Sequence, residues 1–398
     1  MSKKTTAQPP EKLTGIQLTK IPKTSVGLKA IVSALTHIKK EVGIVNGIKL
    51  LKNINQKDGF DCPGCAWPDP DEKRAFLAEY CENGAKAVAE EATKNKVSPL
   101  LFTTHSVDEL AKLSDYEIGK SGRITHPMYL AEEKTHYEEI SWGKAFHLIA
   151  DELNALKSAD EAVFYTSGRT SNEAAFLYQL FVREFGTNNL PDCSNMCHES
   201  SGAALSETLG IGKGSVTLDD FNHADLVIVI GQNPGTNHPR MLTALSETKK
   251  RGGKIISINP LPEVGLINYK DPQNPLKWIG KGQNLTDVFL QVKINGDVAL
   301  LKIILKLMKE KEDAEPNSVF NHQFINEKTD GLDTLLKDLD TYSIDELIPQ
   351  TGLALKEIEK ATELIINNDK VIICWAMGLT QHKNAVDNIR EIVNILLL

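Results

Sequence analysis

Three segments, "ADLVIVIG" (224–231), "KIISINP" (254–260) and "KVIICWA" (370–376), are apolar at nearly every position rather than at alternate ones. A strand with one solvated face alternates apolar and polar residues, so an unbroken apolar run implies burial on both faces. The first is followed by the loop "QNPGTNHP" and the amphipathic stretch "RMLTALSETKKRGG", which leads directly into the second. The third is followed by "MGLTQHK" and "NAVDNIREIVNILLL". An earlier unit of the same kind reads "AVFYT", "SGRTSN", "EAAFLYQLFVREFG" (162–186). Apolar strands alternating with helices predict an α/β fold, with doubly wound parallel sheets and helices on both faces. In such sheets ligands bind beyond the carboxyl ends of the strands. The loops there are rich in Asn, Thr, Gln and His, which suits hydrogen bonding to a large polar ligand.

The 398 residues suffice for two or three domains. Their 41% hydrophobic and 25% charged content is ordinary for a globular protein. A formal charge of −8 without a basic stripe argues against nucleic acid as a partner. No apolar run approaches the about 20 residues of a membrane helix, and "MSKKTTAQPPEKLTG" carries neither a secretory nor a twin-arginine signal. These features predict a cytoplasmic protein without membrane insertion. They divide the chain into a flexible tail (1–25), a CxxC-bearing region of iron–sulfur type (26–140) and an α/β region (141–398). From about Asp71 to Lys94 the composition predicts a helix, while 98–140 reads as short irregular segments.

In a reducing compartment the six cysteines read as ligands, nucleophiles or buried thiols rather than disulfides. Cys62 and Cys65 form C-P-G-C on a turn, a spacing that suits an iron–sulfur cluster, half a zinc site, a redox disulfide or an idle pair. Cys81 is an uncertain third ligand. Cys374, inside an apolar strand, reads as a small buried hydrophobe, and His147 as a packing residue. His238 and His382 lie in strand-end loops and read as hydrogen-bonding groups. "LGIGKGSV" (209–216) has the glycines of a dinucleotide fingerprint but follows a helical stretch, so it reads as a turn closing a helix. Cys197–His198, in "LPDCSNMCHESSGAAL", is open to three readings: an activated nucleophile, a metal ligand with a proton acceptor beside it, or a loop cysteine.

Taken in order, "TSGRTSNEAAFLYQLFVREFGTNNLPDCSNMCHESSGAAL", "DLVIVIGQNPGTNHPRM", "RGGKIISINP" and "WAMGLTQH" resemble the bis-molybdopterin guanine dinucleotide oxidoreductases, nearest to formate-dehydrogenase-like catalytic subunits. The resemblance runs from about residue 58 to the C-terminus. It implies Cys197 as molybdenum ligand and His198 as acceptor of the substrate proton. It also implies nucleotide binding by Gly231, Gln232, Asn233, Asn237, Asn259, Pro260, Gly296, Asp297, Gly378, Thr380 and Gln381. Bis-molybdopterin guanine dinucleotide with molybdenum, and an iron–sulfur cluster of 4Fe-4S type at Cys62 and Cys65, are the implied cofactors. A small two-electron substrate and a redox partner protein or separate C-terminal half are the implied partners.

The chain departs from the family pattern at four points. Asp69 stands where the third cluster cysteine is expected, and no cysteine lies near 90–105. The lysine that relatives place after the fourth cysteine has no counterpart. Asn259 replaces an aspartate common in relatives, which removes a carboxylate acceptor for ribose hydroxyls or the guanine edge. The fourth point is length: relatives are roughly twice as long, and the chain stops inside an α/β unit. A fragment, a frameshifted product or one piece of a split enzyme is therefore expected, unable to hold both pterins stably alone. A truncated module that binds a cluster or nucleotide without turnover, and a C-P-G-C zinc or redox protein, are the competing readings.

Overall fold

The computed structural model describes residues 20–65, 67–71, 74, 78–191, 193–278 and 280–398; the side chains of 193–195 also lie outside the description. Most of the expected flexible tail (1–25) falls outside it. Contacts between backbones divide the chain into two units made of interleaved segments: 1–22, 33–53 and 84–191 in one, and 23–32, 54–83 and 192–398 in the other. The Cys62–Cys65 segment thus shares a unit with the sheet.

That unit is built on four parallel strands: β1 (Leu226–Ile230), β2 (Lys254–Ile258), β3 (Val288–Leu290) and β4 (Val371–Trp375), in the order β4-β1-β2-β3. The chain passes from β1 to β2 to β3 in one direction and returns on the far side of β1. The topological switch point, where loops diverge and leave a crevice, therefore lies between β1 and β4. Every residue of β1 is buried. Leu226, Ile228 and Ile230 face one hydrophobic cluster, and Val227 and Val229 face the other. The first cluster is completed by helices α1 (Cys193–Leu209), α3 (Asp297–Ala314), α4 (Leu355–Ile366) and α5 (Ala385–Leu397). The second is completed by α2 (Met241–Lys250). Both faces are covered, as the unbroken apolar strands require.

Three expectations are corrected. "AVFYT" (162–166) is extended and, among the described residues, forms no strand ladder beyond a single bridge residue at Thr166. It lies in the other unit, where Phe164 packs edge-on against Tyr178, Phe181 and Phe185 of the helix Asn172–Phe185. Val163 and Tyr165 on either side of it are exposed. A strand exists only by pairing, and propensity alone does not supply the partner. The helix expected from Asp71 begins at Glu82. Asn55 Nδ2 donates to the Glu79 carbonyl at 2.7 Å, three residues before that start, and residues 72, 73 and 75–77 of the expected stretch lie outside the described residues. His147 is exposed rather than packed. Residues 98–140, read as short irregular segments, are short helices and two-residue strands. Among the described residues no helix is long and apolar enough to cross a membrane.

Near the end of α3, Glu312 is 7% exposed and organises the turn that follows. It accepts the backbone N–H groups of Asn317, Val319 and Phe320 at 2.7–3.1 Å and bonds His322 Nε2 at 2.7 Å. Burial pushes its pKa up, but the His322 bond and the three amides outweigh burial and hold it at about 2, below the ordinary 4.5. Its stabilisation is therefore complete above the unfolded-state value and is lost as pH falls through the folded one. Glu312→Gln is expected to cost on the order of 2 kcal/mol at pH 7. In urea denaturation the gap from wild type should close as pH drops from 4.5 toward 2.

Candidate active site at the switch point

The loops after β1 and β4 meet backbone to backbone. Gly378 N–H donates to the Gly231 carbonyl at 3.1 Å. A Cβ on Gly231 would sit 2.8 Å from the carbonyl carbon of Gly378, and one on Gly378 would sit 2.7 Å from Gly231 Cα. Gly231 also has φ +56°, which L side chains rarely adopt. These two positions therefore require glycine for space, and Gly231 for conformation as well.

Helix α1 is brought to the same place. Its backbone leaves helical geometry at His198 (φ −136°, ψ 18°), so the segment bends where the Cys–His pair sits. Thr380 Oγ1 donates to the Cys197 carbonyl at 2.6 Å, Gln381 Nε2 donates to the Met196 carbonyl, and Ser200 Oγ donates to the Thr380 carbonyl at 3.3 Å. The bent helix is thus tied to the loop after β4 by three hydrogen bonds. Cys197 Sγ lies 3.6 Å from Met377 Sδ, at the carboxyl end of β4. His198 Nδ1 is 3.2 Å from Ser201 Oγ, which accepts Trp375 Nε1–H at 2.9 Å. Burial pushes the His198 pKa down. His238 is shifted down as well, by burial and by the charge of His198, and its Nδ1 lies 3.3 Å from Gln232 Nε2. His382 Nε2 bonds the Gly378 carbonyl at 2.8 Å.

The remaining strand-end residues line up along the sheet. Asn233 Nδ2 donates to Glu263 Oε2 at 2.6 Å, and Asn259 Nδ2 lies 3.4 Å from Glu263 Oε1, so one carboxylate bridges the ends of β1 and β2. Burial raises the pKa of Glu263. Sequence reasoning missed Glu263; its signal was an acidic residue just past the Asn259–Pro260 strand end. Pro260 accepts Gln291 Nε2–H at 3.0 Å. Asn237 ends the short helix Pro234–Asn237 and is exposed. Gly296 and Asp297 are buried at the start of α3. A Cβ on Gly296 would meet the Gln350 carbonyl at 2.8 Å, so this glycine serves helix packing.

In the same unit, Cys62, Cys65 and Cys81 line a cavity of about 290 Å³ together with Asn55, Trp67, Asp69 and Arg240. The Asn55 amide organises the turn by accepting Cys62 N–H at 2.7 Å through Oδ1, and Gly64 N–H points at Cys62 Sγ, 3.3 Å away. Burial pushes the Cys62 thiol up. Asp69 does not present a vacant carboxylate: Oδ1 accepts Arg240 Nη1–H at 2.6 Å, and Oδ2 lies 3.6 Å from Arg74 Nη1. Cys374 is pushed up to about 12 by burial within β4 and is an inert thiol.

A doubly wound body with a glycine-floored crevice at its switch point defines a nucleotide- or cofactor-binding α/β protein. Residues 123–398 match the family described as "Molybdopterin oxidoreductase", and the chain belongs to that family. An uncharacterized oxidoreductase of Mycobacterium tuberculosis is 50% identical over 374 residues, covering 94% of this chain and 48% of that protein. A putative formate dehydrogenase of Staphylococcus aureus is 28% identical over 291 residues, covering 72% and 27%. Acetylene hydratase from Pelobacter acetylenicus shares the fold, with a TM-score of 0.56 at 20% identity over 69% of this chain and 35% of that one. The chain spans about half the length of the mycobacterial relative. Family membership implies a molybdopterin cofactor carrying molybdenum. The crevice fits such a group. Gly231 and Gly378 bring the two loops into backbone contact, and among the described residues buried Gln232 Oε1 and Asn384 Oδ1, in those loops, have no hydrogen-bond partner. A buried polar atom left in this state costs about 1–3 kcal/mol unless a ligand or water satisfies it.

Gly378→Ala is expected to destabilise the chain by about 1–3 kcal/mol, because neither contacting backbone can yield. Gly214→Ala, with nothing within 4 Å, should stay within about 0.5 kcal/mol of wild type. Equilibrium unfolding of the two variants side by side checks the contrast.

Proposed function

We propose that this chain forms the cofactor-binding part of a bis-molybdopterin guanine dinucleotide oxidoreductase of formate-dehydrogenase type, working in the cytoplasm. Its substrate is formate or another small molecule that exchanges two electrons. The observation that carries this reading is the seating of the Cys197–His198 bend on the loop after β4, beside the Gly231–Gly378 contact. The substrate class rests on the name of the staphylococcal relative.

When bound, the molybdenum cofactor supplies the two-electron chemistry. Cys197 offers a soft thiolate suited to a metal already held by sulfur. Thr380 and Gln381 fix that residue's backbone, so the thiolate direction is set by the neighbouring strand. Ser201 Oγ already accepts the Trp375 indole N–H. By accepting the His198 Nδ1–H as well, it leaves Nε2 as the base for the substrate proton. Glu263, with Asn233 and Asn259, supplies the carboxylate acceptor for a ribose hydroxyl or guanine edge that Asn259 alone does not. Gly231, Gln232 and Asn237 offer backbone and amide groups to the same dinucleotide.

For the second cofactor, the donor chemistry at Cys62, Cys65 and Cys81 fits an iron–sulfur cluster. The three thiols line a cavity of about 290 Å³, and thiolates are the ligands such a cluster takes. A redox partner protein or a separate C-terminal half completes the reading.

Molybdenum, iron and guanine nucleotide should co-purify with the chain when it is co-expressed with the polypeptide that corresponds to the rest of its longer relatives. Cys197→Ser should abolish formate-dependent dye reduction while leaving nucleotide and iron bound. His198→Gln should lower the rate by about 10²–10⁴-fold. Zinc in place of iron, or a Cys197→Ser variant as active as wild type, sinks the proposal.

A further inference from the structure

We propose that Arg240 is a positioning residue of the cysteine cavity: a fixed cation that favours the reduced state of the cluster held there, with Asp69 and Glu79 as its anchors and not as ligands. The inference rests on the iron–sulfur reading above.

Arg240 lines the cavity with Cys62, Cys65 and Cys81. Its side chain is 14% exposed, and both ends of its guanidinium are held: Nη1 by Asp69 at 2.6 Å and Nη2 by Glu79 Oε1. Asp69 and Glu79 are themselves 19% and 8% exposed, and Asp69 is within 3.6 Å of a second arginine, Arg74. Asp69 sits four residues after Cys65, where the third cluster cysteine is expected, yet both its oxygens are directed at guanidinium groups. A carboxylate engaged in this way is a poor donor to iron, because metal binding would strip it of two charged partners in a poorly solvated place. Asn55 reinforces the arrangement. It holds the Glu79 carbonyl and the Cys62 N–H with the two ends of one amide, so the anchor of Arg240 and the first cysteine are fixed by the same side chain.

An arginine cannot lose its proton in a protein, so this charge persists at any working pH. A cluster ligated by three thiolates becomes one unit more negative when it takes up one electron, here from dithionite. Arg240 offsets the charge of Asp69 and Glu79 beside the thiols, and removing it would leave those carboxylates to disfavour that state.

The test is anaerobic purification of the full chain with iron and sulfide reconstitution. Iron analysis and a redox titration followed by electron paramagnetic resonance then compare wild type with Arg240→Gln, Arg240→Lys, Asp69→Asn and Cys81→Ser. Glutamine keeps an amide donor for the carboxylates but removes the charge. We expect it to retain the cluster and to lower the one-electron reduction equilibrium at least tenfold, about 59 mV toward negative potentials. Lysine should restore the wild-type value. Asp69→Asn should keep full iron content and shift the potential the opposite way, whereas Cys81→Ser should lose iron. If Arg240→Gln does not fold, the upward shift in Asp69→Asn carries the test. An unchanged potential in Arg240→Gln, or iron loss in Asp69→Asn equal to that in Cys81→Ser, overturns the inference while leaving the cluster reading intact. A wild-type chain that takes up no cluster overturns both.

Discussion

The molecule's working end depends on two loops approaching closer than any side chain permits. Adjacent parallel strands β1 and β4 end at the same level, and their outgoing chains turn away to opposite sides of the sheet. At Gly231 and Gly378 the chains still touch, and a hydrogen bond fastens them. Everything above this floor takes its position from it. Thr380 and Gln381, two and three residues past Gly378, reach the carbonyls of Cys197 and Met196. The bend at His198 is thereby referred to the sheet rather than left to the helix alone. A helix held only by its own ladder would have no reason to break at that residue. Here the break is stabilised by bonds from another strand's loop.

Two departures from the family pattern become intelligible through contacts distant in sequence. Asn259 stands where an aspartate is common, but a carboxylate is still present between the ends of β1 and β2. Glu263 supplies it from four residues downstream and holds both asparagines. Asp69 stands where a cysteine is expected, and its charge is committed to Arg240, 171 residues away. In each case the replaced group cannot be judged by its own position. The electrostatic neighbour decides what the substitution means.

This also explains what could be read in advance. Strands β1, β2 and β4 were legible because burial on both faces leaves an unbroken apolar run, and the Gly- and Asn-rich loops marked their carboxyl ends. Strand β3, "VFL", is three residues long and pairs on one side only, which leaves too short a pattern to recognise. Residues 162–166 carry the composition of a strand, but Phe164 packs on aromatic rings of a helix, and among the described residues no ladder forms. Cys197, His198 and the loop glycines were legible as a motif. Glu263, Arg240, Ser201 and Trp375 were not, because each works through a partner that only folding brings near. The role of Cys81 stayed open for the same reason: its place sixteen positions after Cys65 does not show that it faces the same cavity as Cys62 and Cys65.

The two candidate cofactor sites are joined by one short and stiff piece of chain. It runs from Gly231, on the crevice floor, to Arg240, in the wall of the cysteine cavity. Pro234 and Pro239 restrict its backbone, and residues 234–237 form a helical turn within it. Asn233 is pinned to Glu263, and the Thr236 carbonyl accepts Asn83 Nδ2–H at 2.7 Å. Beyond Arg240 the chain enters α2, whose Met241, Leu242 and Leu245 are fully buried. A segment constrained at so many points has little freedom to let one end move without the other. The spacing between the crevice and the cysteine cavity is therefore set by local backbone stiffness, which orders both sites on a single frame.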